Sequence, residues 1–173
     1  EDRKSHKNSH TFYLAYEGPL PSMSTKEVKV DITINERLVQ PLQNRPILKG
    51  YKEYEDLPED ATIQVYSLEE ILSEKVAALT DRARNEPRDL YDIWYLIDQE
   101  QMDLAAIFPE IIDKLDFRGR SLEGVGDELS KKETRLKKLW DIRLANQMAE
   151  LAHFEDVYRA VKRAFRGAGL LDA

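Results

Sequence analysis

Cysteine is absent from the 173 residues, and only His6, His10 and His153 supply imidazole, with no spacing that suggests a metal site. The missing thiols exclude disulfides, zinc-thiolate sites, iron–sulfur clusters and cysteine nucleophiles, and a reducing compartment is tolerated. No apolar run approaches the roughly 18 residues that a membrane helix needs. The opening Glu-Asp-Arg-Lys-Ser-His lacks the apolar core of a signal peptide. A cytoplasmic protein is therefore expected. Glycine-rich phosphate loops, serine–histidine pairs and paired-carboxylate hydrolytic signatures find no support either. The chain begins at Glu1, in a hydrophilic stretch that leads directly into an apolar strand pattern, and it reads as part of a longer protein.

What is present is a soluble, globular composition, 42% hydrophobic and 34% charged, of a length that buries a core without staples. The net charge of −7 argues against a dedicated nucleic-acid-binding domain, whose affinity comes from basic surface meeting phosphate. Basic residues nevertheless cluster at Lys131, Lys132, Arg135, Lys137, Lys138 and Arg143, and again at Arg159, Lys162, Arg163 and Arg166. Such runs ordinarily keep helix faces solvated.

The first third is strand-like. His10 to Tyr16 is aromatic-rich, and from Glu27 to Ile34 the residues Val28, Val30, Ile32 and Ile34 alternate with Lys29, Asp31 and Thr33. Gly18-Pro19-Leu20-Pro21-Ser22 between them is turn chemistry and predicts a hairpin. Pro41, Pro46, Gly50 and Pro58 forbid a long helix over residues 37–60, so short strands and loop are expected there, then a strand over Thr62–Tyr66. At Ser67 the period changes. Ser67-Leu68-Glu69-Glu70 has the form of a capping box, in which Glu70 reaches back to the cap, and Leu68, Ile71, Leu72, Val76 and Leu79 form a helical stripe running to about Ala83. Pro87 restarts a helix over about 88–99, and further stripes predict helices around Leu104–Leu115, 129–151 and 154–166, with loop over residues 116–127. The fold class is α+β: a small antiparallel sheet over residues 1–66, then a bundle of about five helices over residues 67–173.

Three positions stand out chemically. Lys75 has Ile71, Leu72 and Leu79 at helical neighbour spacings, so it lies on or beside the apolar stripe, where a lysine either snorkels, pairs with a carboxylate or points its charge at a phosphate. Asp89 and Asp92 share one face near a helix start, where the macrodipole favours each carboxylate by about 0.3–1 kcal/mol. Together with Arg88 they are either dipole-complementing acids or a constellation that orients a basic partner or reaches a magnesium ion through water. Asp31 interrupts an apolar strand where aspartate is a poor strand former, and Lys29 or another base should compensate it.

The string Tyr66-Ser67-Leu68-Glu69-Glu70-Ile71-Leu72-Ser73-Glu74-Lys75-Val76-Ala77-Ala78-Leu79, then Arg82, then Arg88-Asp89-Leu90-Tyr91-Asp92-Ile93, resembles the AbiEii/AbiGii-type nucleotidyltransferase toxins, over roughly residues 10 to 100. The resemblance implies a nucleotidyltransferase-like sheet, incomplete here, whose carboxylates bind Mg²⁺, with an NTP as substrate. It implies Lys75 at the triphosphate, Asp89 as the essential acid beside it, Arg82, Arg88 and Asp92 as supports, and Asp31 as a further metal carboxylate. It also implies an RNA acceptor, in some relatives tRNA, and a cognate antitoxin in a phage-defence toxin–antitoxin system.

The family's signature opens with Gly-Gly or Gly-Ser followed about ten residues later by Asp-x-Asp, and this sequence contains neither. The chain is accordingly expected to be the C-terminal part of the enzyme and not to transfer nucleotides alone. The alternative is a non-catalytic helical module that binds a partner or regulates; a stand-alone RNA-binding protein is a third reading. With its helix running to Ala83, Lys75 would stand about 12 Å from the turn at ~1.5 Å rise per residue, well back from Asp89.

Overall fold

A computed structural model describes residues 3–5, 9–17, 26–51, 53 and 58–171. The chain divides into two compact units, Glu1–Arg37 and Leu38–Ala173. The class is α+β, as the sequence patterns indicate.

The first unit is an antiparallel sheet of β1 (Arg3–Ser5), β2 (Ser9–Tyr16) and β3 (Lys26–Thr33), in that order. The expected hairpin forms: Phe12 faces Val30, Leu14 faces Val28 and Thr11 faces Asp31. The Gly18–Ser22 turn lies outside the described residues. Because side chains alternate along a strand, this register puts Phe12, Leu14, Val28 and Val30 on one face and Thr11, Lys29 and Asp31 on the other.

In the second unit β4 (Gln43–Pro46) pairs antiparallel with β5 (Thr62–Val65). Five helices follow: α1 (Leu68–Leu79), α2 (Pro87–Asp98), α3 (Phe108–Phe117), α4 (Val125–Leu144) and α5 (Phe154–Gly167). Their stripes close on one core, in which Leu72 and Val76 of α1, Leu90 and Ile93 of α2, Ile111 of α3, Leu136 of α4 and Val157, Val161 and Phe165 of α5 are fully buried. Burial of each such side chain stabilises the fold by about 1.5–3 kcal/mol. Helix α2 packs against α1, α4 and α5, which makes it the central element of the bundle.

Two helices differ in their bounds from the sequence reading, α1 at its end and α4 at both ends. Helix α1 stops at Leu79 with Thr80 as its C-cap, four residues short of Ala83. The stop is tertiary: Arg120 donates to the carbonyl of Ala77 at 2.5 Å, and Lys132 donates to those of Leu79 and Asp81. Helix α4 begins at Val125 and ends at Leu144, so Gly126 is in its first turn instead of in a loop. There a Cβ would come within 3.2 Å of Leu171 Cδ2, so glycine allows the close approach.

Ser67 caps α1 as its sequence implies, accepting the Glu70 N–H at 3.2 Å. Glu70, however, does not complete a capping box. Its carboxylate turns to the backbone N–H groups of Val39 and Gln40, at 2.9 and 2.8 Å, and to the buried ammonium of Lys114 at 2.5 Å. It thereby ties residues 39–40 to α1 and α3.

Candidate functional site

Lys75 leaves the middle of α1 on the side facing α2. Ending α1 at Leu79 and starting α2 at Pro87 places Lys75 one turn before one helix end, and Asp89 and Asp92 in the first two turns of the next. The early stop removes the setback expected from a longer helix. The Lys75 ammonium meets Asp89 Oδ1 at 3.5 Å and pairs with Asp92 Oδ2. Asp89 is 1% exposed, whereas the side chains of Lys75 and Asp92 retain 24% and 34% of their accessibility. The cluster therefore runs from a buried carboxylate to a lysine that reaches solvent.

Burying a carboxylate is costly unless its charge is paired and its lone pairs are satisfied. For Asp89 the main partner is Arg84, in the loop between the helices. Arg84 Nε donates to Asp89 Oδ2 at 2.5 Å and Nη2 donates to Oδ1 at 3.0 Å, a bidentate fork. The hydrogen bonds from Arg84 to Asp89, opposed by burial, hold the guanidinium even more firmly protonated than a free arginine. Asp92 takes only Lys75 from this set. A phosphate oxygen could take the place of Asp92 at the half-buried lysine, since the ammonium is a compact point charge on a flexible stem.

Of the other residues suggested by sequence, Arg82 and Arg88 do not join this cluster, and Asp31 belongs to the other compact unit. Arg82 is largely exposed and donates to Glu128 at 3.0 Å. Arg88 is exposed on the first turn of α2. Asp31 belongs to the sheet unit, where it accepts from Thr11 Oγ1 at 2.6 Å and pairs with Lys29 at 2.8 Å. Those two partners compensate the strand-interrupting charge in the way its polar, solvated face predicts.

Among the described residues, the acids of this cluster do not fit a magnesium ion by themselves. Both Asp89 oxygens are engaged by the Arg84 fork, and among the described residues no group of three histidine, aspartate or glutamate side chains is placed to hold a metal. Mg²⁺ prefers octahedral oxygen coordination with carboxylates that have free lone pairs.

Sequence reasoning missed two residues. Arg84 lies in a loop, where no periodicity marks a side chain as inward. Lys132 was legible: with Leu129 at i−3 and Leu136 at i+4 it sits on an apolar stripe as Lys75 does, yet its neighbours Lys131 and Arg135 make it look like part of a solvated patch. It is 4% exposed.

Among the described residues no helix is long and apolar enough to cross a membrane. A family model described as the nucleotidyl transferase AbiEii toxin of type IV toxin–antitoxin systems matches residues 1–170. No curated protein and no solved structure matches the chain.

Proposed function

Because the chain belongs to the AbiEii nucleotidyltransferase toxin family, we propose that the α1–α2 pair forms the triphosphate-facing part of a nucleotidyltransferase site, with Lys75 as the residue that meets the phosphates. The observation that carries this reading is the convergence of the half-buried Lys75 with the buried Asp89 and the half-buried Asp92. In nucleotidyl transfer a hydroxyl attacks the α-phosphorus and pyrophosphate leaves, so catalysis is mainly positioning and stabilisation of charge on phosphate oxygens. Lys75 supplies that charge. Asp89 acts one step back, keeping Arg84 and Lys75 in place; Asp92 is the resident counter-ion that a phosphate displaces. In this reading Arg88, exposed on the first turn of α2, also meets the anion.

No step is assigned to a metal ion on these residues, since they do not fit one. The sequence holds no Asp-x-Asp, and we propose that the chain alone does not turn over. The acceptor is RNA in this reading, and the partner is a cognate antitoxin, both on the strength of the family. Cross-linking with a labelled, photoreactive NTP followed by peptide mapping tests the assignment. Label on peptides from α1 and α2 is expected; label confined to other elements contradicts it.

A further inference from the structure

Lys132 projects from the apolar face of α4 and is 4% exposed. Its ammonium donates to the backbone carbonyls of Leu79 at 2.5 Å, of Asp81, and of Arg84 at 2.9 Å. An ammonium has three N–H donors and no acceptor, so these bonds use its full capacity. Burial pushes this ammonium below the usual lysine value, against the pull of Asp81, Glu128 and Asp89. The three carbonyls are the end of α1 and two points of the loop that leads to α2. The third belongs to Arg84, whose guanidinium grips Asp89.

We propose that Lys132 is a positioning residue for the Lys75–Asp89 cluster, holding the Arg84 backbone so that its guanidinium fork meets Asp89. The meaning of this for catalysis rests on the nucleotidyltransferase reading; the hold on Arg84 rests on geometry alone. A tripod converging on three carbonyls suits an ammonium. The planar arginine fork spreads its donors in one plane and cannot reproduce it.

The competing explanation is that Lys132 merely caps a helix. Arg120 provides the comparison, because it serves the same helix end without touching Arg84: it donates to Ala77 O at 2.5 Å and to Thr80 Oγ1 at 3.4 Å, and pairs with Asp81 at 2.8 Å. Loss of either residue weakens the end of α1. The Arg84 N–H keeps its bond to Asp81 O at 3.0 Å in both cases, and only loss of Lys132 frees the Arg84 carbonyl.

Side-chain hydrogen exchange in the full ¹⁵N-labelled chain separates the two. The Arg84 Nε–H signal, assigned by its disappearance in Arg84→Lys, is compared with the backbone amides of α2 and α4. Lys132→Met should speed Arg84 Nε–H exchange by about tenfold relative to those amides, Lys132→Arg by less, and Arg120→Met should leave the ratio unchanged. The proposal is overturned if the ratio is unchanged in both Lys132 variants, if Arg120→Met moves it equally, or if neither Lys132 variant folds, which would make the residue part of the general core. Titrating the same samples with Mg-ATP keeps the two claims separate. A wild-type chain that binds no nucleotide would sink the nucleotidyltransferase reading, while the exchange ratio still decides the role of Lys132.

Discussion

At the residue scale, charge is divided between surface and interior. Lys114 is 1% exposed and reaches Glu70, also 1% exposed, at 2.5 Å and Glu74 at 2.6 Å. Removing one member of a buried pair strands the other, so Lys114→Met should destabilise by about 3–5 kcal/mol in urea denaturation. Glu70→Gln combined with Lys114→Met should recover part of that loss, since the amide oxygen can still accept from residues 39–40. Arg84→Met exposes the same logic at the site: Asp89 would keep only Lys75 at 3.5 Å. A loss of about 2–3 kcal/mol is expected, smaller because Lys75 remains. An unchanged unfolding midpoint would show that the Arg84 fork carries no stability.

At the element scale, Tyr158 of α5 offers a pH signature. Burial is the main cause that pushes its phenol up to about 12, with Glu133 adding to the effect, and its hydroxyl donates to Leu129 O of α4 at 3.3 Å. The folded value lies above the ordinary tyrosine value of about 10, so the contribution is intact below pH ~10 and is lost as pH rises towards ~12, by about 3 kcal/mol in all. Denaturation across that window should show the decline in the wild type and a shallower one in Tyr158→Phe; parallel declines would contradict it. The elements themselves were readable where local chemistry decides them. Ser67 fixed the start of α1 and Pro87 that of α2, and strict alternation marked β3. Where distant residues decide, the reading failed: α1 ends because Arg120 and Lys132 take its carbonyls, Gly126 packs within the first turn of α4 against Leu171, and Glu70 leaves its cap for Lys114. For the site, the same division holds. Lys75, Asp89 and Asp92 were visible by spacing, while Arg84 was hidden in a loop.

At the scale of the whole molecule, the chain belongs to a nucleotidyltransferase toxin family and its sequence holds no Asp-x-Asp. The chain carries −7, and within its two basic runs Lys131, Lys137, Arg143 and Arg159 are each paired with a carboxylate while Lys132 is buried. Purified chain with Mg²⁺, labelled NTP and total RNA should therefore give no labelled RNA, and clear turnover would refute the claim that the chain needs carboxylates it does not contain.

Equilibrium binding of a labelled NTP to the wild type, to Lys75→Ala and to Lys137→Ala, which removes a surface lysine paired with Glu155 on the other helices, decides whether Lys75 meets the phosphates. Lys75→Ala should weaken binding by about tenfold or more, near 1.4 kcal/mol, and Lys137→Ala should leave it unchanged. Equal affinity in all three proteins would contradict the account.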